Sequence, residues 1–316
     1  MTNNVLIDNL INNIETVILG KKSEIKNLTK GILANGHILI EDMPGVGKTM
    51  LVKALCKSLN LKFSRIQFTP DILPTDITGV SIFNPASREF EFKPGPIFSN
   101  IILADEINRA TPKTQSALLE CMEEKQISEG NITYKLKAPF LVLATQNPIE
   151  HEGTFPLPEA QLDRFIMKVN IGYPSYDAEV NILKTYRASV PLNTINPICS
   201  LDELLHLQSI VQEVALHDDI YDFIISIISA TRNNDFIEVG SSVRGSLALM
   251  KLVQAEAFLD GRNYAIPEDV LKNVVPALSH RIKLSTHSVA KGYSSESVLK
   301  ELLTTIKVPH INSVRR

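Results

Sequence analysis

The sequence predicts an α/β fold followed by an all-α unit, and three observations carry that prediction. Five apolar runs of strand length, at 37–41, 63–68, 101–104, 140–144 and 165–169, alternate with helical patterns. They are apolar on both faces, as strands of a parallel sheet covered on both sides must be. The first run leads through Asp42-Met43-Pro44-Gly45-Val46-Gly47 into Lys48-Thr49-Met50 and a helical stripe of Leu51, Val52, Ala54 and Leu55. After Gly172-Tyr173-Pro174 the strand pattern stops, and from Ser200 all apolar spacing is helical.

Taken in order, residues 5–33 read as two amphipathic helices, with Leu6, Leu10, Ile14 and Val17 on one stripe and Ile25, Leu28 and Ile32 on the next. Helical patterns at 48–59 and 113–124 fall between strands. Two segments break the rhythm. Residues 79–92 alternate on both sides of Asn84-Pro85-Ala86-Ser87, and 126–136 turn at Gly130-Asn131, so both read as hairpins. They are either surfaces offered to a partner or ordinary surface elaboration. Residues 177–187 form a linking helix and 191–197 a linker. Ser200 and Glu203 form a capping box. Ile220, Phe223, Ile224, Ile227 and Ile228 make an apolar stripe, 247–259 is helical, and Pro267 opens a helix through Leu278. His280-Arg281 reads as a helix end and Arg315-Arg316 as a solvated tail. Two domains are expected, 1–190 and 191–316.

Composition narrows the functional classes. The chain has 316 residues, 44% apolar and 21% charged, with a formal net charge of −3. No global basic field argues for nucleic acid or an anionic membrane. Cys56, Cys121 and Cys199 lie far apart without C-x-x-C spacing, as expected of buried thiols in a reducing cytosol. No secretory leader is visible, and the densest apolar run, 223–230, is too short to span a bilayer, so a cytoplasmic protein is expected. The seven histidines give no H-E-x-x-H spacing, and Gly240-Ser-Ser-Val-Arg-Gly is not a nucleophile elbow.

The chemistry concentrates after strands. A strand, a glycine turn and Gly-Lys-Thr opening a helix is the layout of a phosphate-binding loop, although Asp42 stands where the first glycine would be. Glycine lets backbone N–H groups close around phosphate oxygens, and the helix N-terminus adds partial positive charge. Lys48 would reach the β- and γ-phosphates, and Thr49 would ligate Mg²⁺. A second strand ends in Asp105-Glu106, which suits Asp105 to holding Mg²⁺ and Glu106 to activating water. A third ends at Asn147-Pro148, where Asn147 could orient that water.

Together these stretches resemble the MoxR family of AAA+ ATPases. They are residues 36–49; 65–79, beginning Arg-Ile-Gln-Phe-Thr-Pro-Asp; 103–110, Leu-Ala-Asp-Glu-Ile-Asn-Arg-Ala, with 112–115; 144–150, Ala-Thr-Gln-Asn-Pro-Ile-Glu; 152–165, ending Leu-Asp-Arg-Phe; and 240–244. They keep the family's order and span most of the chain. The resemblance implies an AAA+ αβα parallel-sheet P-loop domain with two hairpin insertions, then a small helical lid. It implies ATP and Mg²⁺ as cofactors, with 42–50 as the Walker A nucleotide loop. Asp105 and Glu106 match Walker B, Asn147 matches sensor 1, and Arg244 matches sensor 2. Val243 departs from the family's usual Pro. Arg164 matches the arginine finger that reaches a neighbouring subunit, with Arg109 as a rival, and a surface pair with Asp163 as its plainer reading. Whether Arg244 acts on its own nucleotide or a neighbour's stays open. The resemblance further implies a homo-oligomeric ring, expected to be a hexamer, and chaperone-like remodelling, maturation or metal-cofactor insertion of a client. A von Willebrand factor A protein is the expected adaptor. A DNA-remodelling motor and a nucleotide-gated scaffold are the alternatives.

Overall fold

The computed structural model describes residues 3–130, 132–147, 153–186 and 191–309. Asn131 of the second hairpin turn, residues 148–152 of the quoted stretches, Arg187, the boundary between 190 and 191, and the terminal Arg315-Arg316 lie outside the described residues. The first elements are α1 (Asn3–Glu15), α2 (Lys22–Leu33), β1 (Ile38–Glu41), α3 (Lys48–Ser58), β2 (Phe63–Gln67) and α4 (Pro74–Thr78). A hairpin of β3 (Gly79–Asn84) and β4 (Glu89–Pro94) precedes β5 (Ile101–Asp105), a 3-10 turn (Ile107–Arg109) and α5 (Pro112–Glu124). A second hairpin, β6 (Gln126–Glu129) and β7 (Ile132–Lys135), leads to β8 (Leu141–Gln146), α6 (Glu159–Leu162), β9 (Met167–Val169) and α7 (Tyr176–Tyr186).

The sheet is parallel throughout, in the order β2-β5-β8-β1-β9. Its strands divide their side chains by period two. Ile38, Ile40, Ile101, Leu103, Leu141 and Leu143 enter one core cluster, together with α1 to α3. Leu39, Ile102, Ala104, Val142 and Ala144 enter the other, against α5. Every parallel strand therefore directs its carboxyl end to one edge, where ligands bind in open α/β sheets.

The helical part comprises α8 (Leu201–Gln212), α9 (Asp218–Arg232), α10 (Val243–Leu259), α11 (Pro267–Leu278), α12 (Thr286–Ala290) and α13 (Ser295–Thr305). The Ser200–Glu203 capping box forms, with the Ser200 backbone N–H donating to Glu203 at 2.8 Å. This region is not wholly helical. β10 (Ile237–Val239) and β11 (Lys283–Leu284) pair antiparallel, three residues against two, too short to leave a periodic signal. Its core is continuous with that of the sheet: Phe223, Ile227, Leu249 and Leu252 share a cluster with Ile38 and Leu28. A buried ion pair, Lys30 to Glu256 at 2.9 Å, and the Gln208 side chain donating to the Ile32 carbonyl at 2.7 Å fasten α2 to α10 and α8.

Candidate active site

The loop between β1 and α3 is shaped by two glycines. Gly45 and Gly47 have φ of 84° and 88°, and a Cβ on either would meet open space. The left-handed conformation, not crowding, selects glycine. Lys48 Nζ donates to the Asp42 carbonyl at 2.9 Å. Burial lowers the Lys48 pKa, while Asp105, Asp42 and Glu106 oppose the shift, so the lysine sits among these carboxylates. Asp42 itself is engaged with backbone. Its carboxylate accepts N–H groups from Met43 at 2.8 Å, Ile171 at 2.7 Å and Gly172 at 2.5 Å. An acid in the first loop position thus ties the loop to the segment leaving β9. Lys21 clamps the same segment from its carbonyl side, donating to Ile171 at 2.6 Å and Tyr173 at 2.9 Å. Beside the loop opens a cleft of about 360 Å³ whose lining includes Ile18, Gly45, Gly47, Met50, Ile171 and Tyr173. Its apolar wall beside a phosphate loop suits a nucleotide base. Neither Ile18 nor Tyr173 was flagged by any sequence motif.

At the end of β5, Asp105 is buried and fully engaged. Oδ1 accepts the Thr145 hydroxyl at 2.6 Å, and Oδ2 accepts Arg65 Nε at 3.0 Å and Nη2 at 2.6 Å. Thr145 Oγ1 also accepts the Glu106 N–H at 2.9 Å, so one hydroxyl on β8 fixes both acids. Glu106 has φ 58° and ψ 48°, a left-handed conformation that is uncommon for non-glycine and concentrates at functional sites. Its Oε2 accepts Gln67 Nε2 at 2.9 Å and Arg109 Nη1 at 3.1 Å. Arg109 therefore lies against the Glu106 of its own subunit. Asn147, also buried, follows β8 at the same sheet edge.

The oxygens of Thr49 and Asp105 are the hard donors that Mg²⁺ takes. Arg65 already supplies positive charge to Asp105 through Oδ2. The donor set fits Mg²⁺, with Arg65 as the group that would yield Oδ2.

Arg164 and Arg244 are together, and apart from this edge. Arg164 precedes β9 by a few residues, and β9 runs parallel to β1 with Met167 opposite Ile38. The strand length from Ile38 to Asp42, about 13 Å, separates the amino edge from the phosphate loop. At the amino edge Arg164 Nη2 pairs with Glu123 at 2.8 Å, its Nη1 donates to the Leu119 carbonyl, and Arg244 Nη2 pairs with the same Glu123. The Asp163 carboxylate does not pair with Arg164; it accepts Arg281 Nε at 2.9 Å and the Ser242 hydroxyl at 2.8 Å. His280 and Arg281 are thus more than a helix end. The buried Arg281 guanidinium donates to the carbonyls of Asp163, Phe165, Ile166 and Ala277, and His280 Nε2 bonds the Phe165 carbonyl at 2.9 Å. The segment carrying Arg164 hangs on these two residues.

Comparison with known proteins supplies the family. Residues 37–167 match the family described as ATPase family associated with various cellular activities (AAA), and 229–302 match the AAA lid domain. The chain is 41% identical to Chaperone MoxR1 of Mycobacterium tuberculosis, covering 98% of this chain and 84% of that protein. The chain belongs to the MoxR family of AAA+ ATPases. It is also 47% identical to YeaC of Bacillus subtilis, itself uncharacterised, over 96% of this chain and 95% of that protein. A crystal structure of a candidate ATPase from Cytophaga hutchinsonii superposes with a TM-score of 0.91 at 40% identity, covering 97% and 96% of the two chains. The MoxR-family fold and ATPase activity expected from the sequence hold. The departure at Val243 is mild on structural grounds, because it is the first residue of α10 after the Ser242 cap, where either Pro or another residue fits. No helix among the described residues of this MoxR-family chain is long and apolar enough to cross a membrane.

Proposed function

We propose that this MoxR-family ATPase hydrolyses Mg²⁺·ATP at boundaries between identical subunits, in a ring, and uses the cycle to remodel a client protein. The observation that carries this reading is the division of the arginines from the phosphate loop. Arg164 and Arg244 occupy the amino edge of a sheet whose carboxyl edge holds Lys48, Asp105 and Glu106. Both arginines lie at the edge opposite their own loop, which supports their serving a neighbour's nucleotide.

In this reading the backbone of 42–50 and Lys48 bind the phosphates, and Thr49 with Asp105 would hold Mg²⁺. The metal would neutralise phosphate charge when bound. Glu106, kept in its left-handed conformation by Thr145, orients and deprotonates the attacking water together with Asn147. Arg164 neutralises the charge that spreads over the transferred phosphoryl group, and Arg244 adds to it. Chaperone-like work is supported by the Mycobacterium tuberculosis relative, which is named a chaperone. The β3–β4 hairpin presents exposed Phe83 and Phe90, a surface suited to a client or to an adaptor of von Willebrand factor A type. A hexamer, a cytoplasmic location, domains divided near residue 190, and maturation or metal insertion as the client's fate complete the proposal.

Phosphate release at saturating ATP tests it. Glu106→Gln should abolish turnover while retaining nucleotide binding, and turnover at the parent rate would remove Glu106 from the chemistry. Arg164→Ala should lose roughly 10³-fold in kcat. Mixing Arg164→Ala subunits with Lys48→Ala subunits should restore part of the rate, since some boundaries then pair an intact loop with an intact finger. Absence of any rescue would contradict catalysis across a boundary.

A further inference from the structure

Resting on that boundary reading, we propose that Glu123 is a positioning residue that holds Arg164 and Arg244 as a pair for one incoming phosphate group. Each carboxylate oxygen takes one guanidinium: Oε2 meets Arg164 Nη2 at 2.8 Å, and Oε1 meets Arg244 Nη2. The three residues come from different elements. Glu123 lies in the last turn of α5, Arg164 just ahead of β9, and Arg244 in the first turn of α10. A single carboxylate therefore sets the spacing between an arginine of the sheet domain and one of the helical part.

Two features fit an acid that serves something other than its own helix. A glutamate in a final helical turn opposes the helix dipole, and the last turn of α5 has no basic residue to compensate it. The cations it does meet are both imported. Moreover, the pair leaves charge over. The cleft at this edge, about 280 Å³, is lined by Arg164, Arg244, Arg281, Lys125 and Lys251 against two carboxylates, Glu123 and Asp163. Three formal positive charges remain for an anion. Arg164 Nε is buried without a hydrogen-bond partner among the described residues, so part of its donor fork is unspent. Long arginine side chains must be ordered before they can meet a phosphate together, and Glu123 does this in advance. The ion pairs are partly exposed, so they contribute little to folding and act on placement.

The test uses full-length protein and steady-state phosphate release. Glu123→Gln keeps the size of the side chain and removes its charge. It should lower kcat roughly tenfold or more, as expected for misplaced catalytic groups, with KM for ATP nearly unchanged. Glu123→Asp, charged but shorter, should recover part of the loss. In an Arg164→Ala/Arg244→Ala background, Glu123→Gln should cause no further loss, which a merely structural residue would not satisfy. An unchanged or raised kcat for Glu123→Gln, or a further loss in that background, would overturn the proposal. The two readings separate cleanly. Parent-rate turnover by Arg164→Ala would remove the boundary finger and this proposal with it. An impaired Arg164→Ala beside an unimpaired Glu123→Gln removes the positioning role alone.

Discussion

Replacing Arg281 should unfasten the helical part from the segment that carries Arg164. Its side chain is 2% exposed and paired with Asp163 at 2.9 Å. All three of its nitrogens are in use: Nε on Asp163, Nη1 on Ile166 and Ala277, and Nη2 on Asp163 and Phe165. Burial pulls its pKa down to about 10, against the raising effect of the Asp163 carboxylate. Arg281→Met removes the cation from a buried pair and leaves several carbonyls without donors, which costs about 3–5 kcal/mol. Arg281→Lys restores charge but concentrates its donors on one nitrogen, which cannot span Asp163, Ile166 and Phe165 together. The expected loss is about 2–3 kcal/mol, since each buried hydrogen bond to a charged group contributes about 1.5–3 kcal/mol. Urea titrations followed by far-UV dichroism, with kcat measured in parallel, give both numbers. An Arg281→Lys protein within 1 kcal/mol of the parent, with parent kcat, would refute the claim that the fork fixes the finger segment.

Two further perturbations address the sheet's two edges. At the carboxyl edge, Arg65→Ala should free Asp105 Oδ2; for a pair this exposed the gain is about 1 kcal/mol, or roughly fivefold tighter Mg²⁺-dependent ADP binding by calorimetry. Equal or weaker Mg²⁺ dependence would show that Arg65 does not compete for that oxygen. At the amino edge, His37 is fixed as a neutral ring: Nδ1 accepts the Val142 N–H at 2.9 Å and Nε2 donates to the Met122 carbonyl. Burial pushes its pKa down to about 4 from an ordinary 6.5. The unfolded chain therefore takes up the proton first. Stability is constant above pH 6.5 and falls by about 1.4 kcal/mol per unit between there and about pH 4 on account of this residue. His37→Gln, whose amide offers one donor and one acceptor, should flatten that slope between pH 6.5 and 5. A slope identical to the parent's would mean the titration belongs elsewhere, the equally buried His280 being the first candidate.

Legibility followed locality. The strands inside the sheet were readable because both faces of each are buried, whereas the edge strand β2 buries only Ile66 fully; the phosphate loop was readable because its residues are contiguous. Asp105 and Glu106 were readable as a strand end, yet the groups that hold them were not. Thr145 reaches Asp105 from the neighbouring β8, and Arg65 and Gln67 reach the two acids from β2, across pairings that no local pattern encodes. A faint signal existed: Arg65 and Gln67 fall at period two on the strand beside β5, with Gln67 in register with Asp105. Arg281 gave none, because an arginine three residues past a helix looks the same in solvent or in a core. The plainer alternative for Arg164, a surface pair with Asp163, fails for a related reason, since the Asp163 carboxylate is taken by Arg281 and Ser242 of the helical part.

If the boundary proposal holds, the arrangement of α5 bears on how one chain would keep its two half-sites in step. The helix starts at Pro112, with Ala110 and Thr111 between it and the 3-10 turn that follows Glu106, and ends at Glu123-Glu124, a span of about 20 Å at 1.5 Å per residue. At its start, Arg109 bonds Glu106; near its end, Glu123 bonds Arg164 and Arg244. A packed helix of this length moves as a unit, because its buried face, including Leu118, Leu119 and Met122, is locked into the core. In the proposed ring, a shift of the Glu106 turn would be passed along this helix to the two arginines. Were Glu106 to serve this subunit's nucleotide and Glu123 the neighbour's, the helix between them would give successive sites a rigid connection that needs no change in the sheet.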